Sequence, residues 1–260
     1  MFLSKEELPI QQTEAVNEYF KTNLPAFCIN CAAYTAVDKA ETEQTQAMLI
    51  NSEAVGVLAA ACKSVDAKFI HISTDYVFDG TGTKPYTEDD KNSPVNYYGL
   101  TKLEGEKAAL RNNNESVVIR TSWVYSEYGN NFVKTMMRLM KERESLNVVN
   151  DQVGSPTYAA DLATFIISIV EATTNDSKNW TPGIYHYSNE GIISWYDFAV
   201  AIRNGINSKC AVNPIPTAMY PTPAKRPAYS AMDKSKVKRV YNAIVPQWQE
   251  SLAICLKQMS

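Results

Sequence analysis

A chain of 260 residues, 45% hydrophobic and 20% charged, can bury the core of one α/β domain or of a domain with a smaller lobe, and its net charge of −3 offers no basic footprint for nucleic acid. Residues 1–7 lack the apolar core of a signal peptide and no run of about 18 apolar residues occurs, so a soluble cytoplasmic protein without a membrane partner is expected. Five cysteines, an odd number, read as reduced thiols.

In chain order, a short apolar segment around Leu8 and Ile10 leads to a helix over 11–22 with Ala15, Val16, Tyr19 and Phe20 on its inner face. The run 26–33 is continuously apolar, which suits a parallel strand covered on both sides. Within it Cys28 and Cys31 have the Cys-x-x-Cys spacing of redox and zinc sites. Residues three apart on a strand point to opposite faces, so the two sulfurs should diverge. A long helix over 43–64 carries Met48, Leu49, Val55, Leu58, Ala59 and Cys62, and a strand over 68–74 completes a crossover unit. The polar stretch 75–94 is too long for a plain connection and reads as an active-site loop. A helix over 95–111, a strand over 116–123, a helix over 131–144 and a strand over 146–149 continue the parallel pattern.

After Asn150 a turn-rich linker opens a second lobe, so the chain divides into parts 1–150 and 151–260. The second part should hold a helix over 158–172, a strand near 184–187, a helix capped by Ser194, a strand near 211–215 and a proline-rich stretch over 214–227. A lysine-rich stretch over 233–239 and a last amphipathic helix to Met259 follow. Lys225, Arg226, Lys234, Lys236, Lys238 and Arg239 are either ligands for a diphosphate or a solvated helix face. His71 and His186, the only histidines, have no ligand-spaced partners, so no metal site is expected; no Gly-x-Ser-x-Gly elbow supports a hydrolase.

The strand over 68–74 runs into Ser73-Thr74-Asp75-Tyr76, and the helix after the polar stretch opens with Tyr98 and Lys102. Residues four apart share a helix face, so phenol and ammonium can enter one cleft. At roughly 6 Å and an effective dielectric of about 20 the ammonium would favour the phenolate by about 3 kcal/mol, roughly two pKa units. That would bring the phenol towards general acid–base work near neutrality. Thr74, at the carboxyl end of a parallel strand, can donate to the same substrate oxygen. A Tyr-x-x-x-Lys pair alone is weak evidence, but no other tyrosine has a lysine four positions on, and only Tyr98 follows a Ser-Thr-Asp strand end.

Together, the segments Asn30 to Glu41, His71 to Gly80, Tyr98 with Lys102, Arg120 to Tyr125, Gly154 to Thr157 and Arg226-Pro227 resemble the extended short-chain dehydrogenase/reductase family, and within it the dTDP-4-dehydrorhamnose reductase branch. The resemblance implies a Rossmann-like doubly wound parallel sheet with a smaller C-terminal substrate-binding lobe. It also implies that NADPH or NADH delivers hydride to the C4 ketone of dTDP-4-dehydro-6-deoxy-L-mannose, giving dTDP-L-rhamnose. Tyr98 would donate the proton, Lys102 would lower the phenol's pKa and bind the nicotinamide ribose, and Thr74 would polarise the carbonyl. Thr74, Asp75, Tyr76 and Trp123 would contact the dTDP-sugar, and Ala33, Tyr34 and Thr35 would pass near the cofactor. Related dehydratases carry a glutamate base where this chain has Tyr76, which favours reduction over dehydration or epimerisation. A regulatory module like the beta subunit of methionine adenosyltransferase is the alternative of a different class.

The family's glycine-rich phosphate turn is absent from these residues, and 2–10 resembles the region just after the family's second strand. An N-terminally truncated sheet is therefore expected, with the run 26–33 at or next to a sheet edge, weak NAD(P)H binding, and an edge that a second copy could pair with as a homodimer.

Overall fold

The computed structural model describes residues 1–259, and its architecture grows from the strand β2 (Lys68–Thr74). Successive side chains on a strand face opposite ways, so Phe69 enters one core and Ile70 the other. β2 lies between β1 (Phe27–Asn30) and β3 (Val117–Thr121), and β8 (Gly183–His186) follows β3, all parallel in the order β1-β2-β3-β8. On the Phe69 side pack α1 (Thr13–Asn23), α3 (Ala54–Ser64) and α4 (Tyr97–Asn112), through Val16, Phe20, Val55, Leu58 and Ala109. On the Ile70 side lie α6 (Ala159–Asn175) and α8 (Ser235–Tyr241), through Phe165, Ile169 and Val237. Helices on both faces of a parallel sheet make this a doubly wound α/β fold.

β1 is an edge strand, as expected, but it is only four residues long. Phe27 and Cys28 reach the cores while Ile29 is 42% exposed, so the run 26–33 is not covered on both sides. The long helix expected over 43–64 is present and unbroken, as α2 (Gln44–Met48), a widened i→i+5 turn over Leu49–Glu53, and α3. The extra residue in that turn faces Asn51 inward, where it is fully buried.

Two strands sit elsewhere than the reading of the sequence placed them. The strand β5 (Ser145–Val149) does not continue the main sheet; it pairs in parallel with β10 (Ala211–Ile215). The strand near 184–187 is β8 and returns to the main sheet beside β3, and α6 covers that sheet rather than the second lobe. A separate core, with Val133, Met140, Leu146, Phe198, Ile202, Val212 and Leu252, gathers β5 and β10 with α5 (Phe132–Glu142), α7 (Trp195–Gly205) and α9 (Trp248–Gln258). The Ser194 cap of α7 is present as a full capping box with Asp197. Among the described residues no helix is long and apolar enough to cross a membrane.

β3 ends at Thr121, and the chain kinks at Trp123, whose φ of 48° is left-handed. It then forms the short strand β4 (Val124–Tyr125) beside β7 (Thr157–Tyr158).

The catalytic-helix candidate α4 lies unusually close to its neighbours because of two glycines. A Cβ on Gly99 would stand 2.2 Å from the Tyr76 carbonyl oxygen, and one on Gly105 would stand 2.0 Å from that of Asn51. Both obstacles are backbone, so α4 itself would have to move. We expect Gly105→Ala to destabilise the fold by about 1–3 kcal/mol, seen as a lower midpoint in urea unfolding.

Candidate active site

The carboxyl ends of β1, β2 and β3 meet the first turns of α4. Asn96 caps that helix, its side chain accepting from the Gly99 N–H at 2.8 Å, and this orients Tyr98 and Lys102 toward the end of β2. Thr74 is buried; its hydroxyl donates to Asp75 Oδ1 at 3.0 Å and accepts from the Tyr76 N–H at 3.3 Å. Tyr98 is half-buried and meets Tyr76 edge to face, with ring centroids 5.7 Å apart. Thr74, Asp75, Tyr76, Tyr98 and Lys102 are thus brought together by the strand end and one helix.

The electrostatics differ from the simple pair that the spacing suggested. Burial pushes the Tyr98 phenol up to about 12, against a smaller downward pull from the Thr74 hydroxyl. Lys102, 2% exposed, turns away from the phenol and donates to the Ile72 carbonyl oxygen at 2.6 Å, with Nζ 3.4 Å from His71 Nε2. Burial lowers Lys102 to about 8, opposed by Glu106 and Cys31. The two-unit drop expected for Tyr98 is absent because burial acts on both groups and the Lys102 nitrogen is committed to β2.

α4 is held over the sheet by a buried ion pair. Arg120 of β3 donates from Nε and a terminal nitrogen to the two oxygens of Glu106 at 2.9 and 2.7 Å, and Ser73 donates to the same carboxylate. Glu106 lies one turn beyond Lys102, so the pair sets the rotation of the face that carries Tyr98 and Lys102.

Tyr34, in the loop after β1, is clamped at both backbone groups by the Asn51 amide, at 2.8 and 3.0 Å, and Asn51 also donates to Thr101 of α4. Ala33, Tyr34 and Thr35 therefore lie beside the site in fixed relation to α4. Neither Asn51 nor Asn30 was singled out from the sequence; their only signal was a polar residue inside an apolar run.

Trp123 leaves β3 two residues after Thr121, the register partner of Thr74, so it projects at the same sheet end. Its ring stacks on Trp195 at 3.6 Å and 11°, and a Cβ on Gly154 would come within 2.9 Å of it. Among the basic residues, Lys225 and Arg226 border a cleft of about 500 Å³ with Asp151, Thr217 and Tyr220. Arg226 also pairs with Asp38 at 3.0 Å. Lys234 and Lys238 instead pair with Glu190, and Lys236 donates to the Ile184 carbonyl oxygen, so these three are structural. Cys28 is half-buried in β1 and Cys31 is exposed beyond it.

Asp75 is 2% exposed and its Oδ2 has no hydrogen-bond partner. Burial raises its carboxyl from 3.8 to about 6, against smaller downward pulls from Ser230 and Thr74. An acid with a raised folded-state value binds more protons folded than unfolded, so stability falls as pH rises from about 4 to about 6. Above that window the penalty is complete, about 3 kcal/mol. We expect Asp75→Asn to raise the melting temperature at pH 7.5 and to lose that advantage by pH 4, as measured by calorimetry.

Comparison with known proteins agrees with this geometry. The family described as RmlD substrate binding domain matches residues 1–260. The dTDP-4-dehydrorhamnose reductase of Burkholderia thailandensis is 39% identical over 267 residues, spanning 99% of this chain and 90% of that protein. The crystal structure of a dTDP-4-dehydrorhamnose reductase from Clostridium acetobutylicum superposes with a TM-score of 0.94 at 41% identity, covering 99% of this chain and 89% of that one. The Bacillus anthracis dTDP-4-dehydrorhamnose reductase, solved in complex with NADP, gives 0.93 at 39% identity, with 98% and 89% covered. By sequence and by fold, this chain belongs to the RmlD substrate binding domain family.

Proposed function

We propose that the chain is a cytoplasmic NAD(P)H-dependent reductase of dTDP-4-dehydro-6-deoxy-L-mannose, yielding dTDP-L-rhamnose. The observation that carries this reading is the Thr74 hydroxyl and the Tyr98 phenol at one strand end, with a tyrosine at position 76 instead of a carboxylate base. Proton abstraction next to a ketone needs such a base, whereas reduction needs only a hydride and a proton donor. In this reading residues 1–150 carry most of the cofactor side and 151–260 most of the sugar-nucleotide side.

The residues present suit the nicotinamide-ribose end of the cofactor: the clamped loop Ala33, Tyr34, Thr35 lies beside Tyr98 and a lysine held at the end of β2 by the Ile72 carbonyl and His71. When bound, NAD(P)H supplies the hydride for C4. Thr74 polarises the ketone through a hydrogen bond to its oxygen. Tyr98, kept protonated by burial, gives its proton to the alkoxide as the C–H bond forms, since an alkoxide is the stronger base. Lys102 then stabilises the phenolate, and it would hold the ribose hydroxyls on the same side. Trp123 and Tyr76 wall the sugar, and Lys225 and Arg226 face the diphosphate.

Two measurements test this. Tyr98→Phe is expected to lower turnover, followed by NADPH absorbance, by about a hundredfold or more while dTDP binding is unchanged; undiminished turnover would sink the assignment. Titration with dTDP should give a saturable change in tryptophan fluorescence that Trp123→Ala abolishes. A change that survives that substitution would move the nucleotide elsewhere.

A further inference from the structure

Asn30 ends β1 directly opposite His71 in the parallel register, and both side chains are buried, at 4% and 0% exposure. The Ala32 N–H donates to Asn30 Oδ1 at 3.1 Å. A backbone N–H can only donate, so the amide's orientation follows: its NH₂ is the end that lies 3.1 Å from His71 Nδ1. That NH₂ can also only donate. His71 Nδ1 must therefore be the bare nitrogen, and a neutral ring then carries its proton on Nε2. Burial pushes His71 well below its ordinary value, which keeps the ring neutral.

The Nε2–H so placed faces Lys102 Nζ, which already donates to Ile72. An ammonium has three N–H bonds and no lone pair, and would oppose donor to donor. An amine presents its lone pair to the ring and keeps an N–H for the carbonyl.

We propose that His71 is a positioning residue: with its tautomer set by Asn30, it holds Lys102 against β2 as a neutral amine, and Lys102 becomes an ammonium only on turning away from the ring toward a ligand. Ligand binding is thereby coupled to uptake of a proton. The proposal rests on the reading that Lys102 works beside Tyr98 in the reductase.

Every other group facing Nζ is consistent with this storage. Tyr98, on the same helix face, stays a neutral phenol because burial pushes it up to about 12. Cys31, in the loop after β1, is exposed as a residue, but desolvation of its sulfur and then Cys28 push the thiol up, and it stays a thiol. Glu106, one turn along α4, favours the ammonium, but both its oxygens are already taken by Arg120 and one also by Ser73. Burial nevertheless leaves Lys102 lowered to about 8, within reach of a single hydrogen-bond partner's influence.

The test needs no turnover, because the chain has only two histidines. Nitrogen-15 NMR of histidine-labelled protein, with His186→Gln to assign the signals, should show His71 as the Nε2–H tautomer. Carbon-13 NMR of the lysine Cε, assigned with Lys102→Met, should show Lys102 titrating below 7, lower than the value of about 8 to which burial brings it. Asn30→Asp replaces the donor by an acceptor; it should switch His71 to the Nδ1–H tautomer and raise the Lys102 titration by about one unit or more. An Nδ1–H tautomer in the parent protein, or a Lys102 that is still an ammonium at pH 7.5, overturns the proposal. So does a tautomer switch in Asn30→Asp that leaves Lys102 where it was, since His71 would then be structural only. If Asn30→Asp does not fold, the two parent measurements decide. Failure of the parent chain to reduce the dTDP-sugar would count against the functional reading and leave these NMR results standing.

Discussion

The arrangement of this molecule depends on one buried ion pair, Arg120 with Glu106, whose side chains are 0% and 2% exposed. Removing two charges from water costs several kcal/mol each, and their attraction roughly offsets that only when the geometry is good. Here it is: the guanidinium engages both carboxylate oxygens, reaches Asn92 at 3.2 Å, and lies 5.1 Å from the centre of the Phe78 ring. The pair therefore contributes definition more than net stability. β3, α4, the Ser73 end of β2 and the long loop after it are all referenced to one guanidinium, and no other rotation of α4 would satisfy both charges.

That placement puts ionisable groups into a dry pocket, and their shifts share one dominant cause. Burial raises Tyr98, Tyr76 and Asp75 and lowers Lys102 and His71, so each is driven toward its uncharged form. A site of neutral groups costs little to keep closed from water. It is also charged with protons in the right places for reduction, because the phenol begins as an acid. Lys102 brings a positive charge to the phenol only by leaving its present partners on β2.

The second lobe is tied to this centre through a short strap of chain. Asp38 accepts from the Ala224 N–H at 3.1 Å and pairs with Arg226, while Asn96, the cap of α4, donates to the Lys225 carbonyl oxygen at 2.8 Å. The same segment borders the cleft proposed for the nucleotide diphosphate. The residues that would sense the far end of the substrate are thus hydrogen-bonded to the cap of the helix that carries Tyr98. The Trp123–Trp195 stack joins the kink after β3 to the first turn of α7.

Local pattern was enough to read much of this. The seven residues of β2 and the five of β10 stood out by alternation and apolar content, the Ser194 cap by its position before an apolar-periodic helix, and Tyr98 with Lys102 by helical spacing after a Ser-Thr-Asp strand end. These are properties of neighbours along the chain, and the chain itself determined them. It could not determine which strand pairs with which: an apolar run records that a segment is buried but not against what, so β5 and β8 were exchanged between the two cores. Nor could spacing show where the Lys102 ammonium turns, because the groups that hold it, His71 and the Ile72 carbonyl, lie about thirty residues away, and Asn30, which orients His71, lies a further 41. Hydrogen-bond partners and desolvation are set by what the fold brings within a few ångströms, and only the tertiary structure decided those.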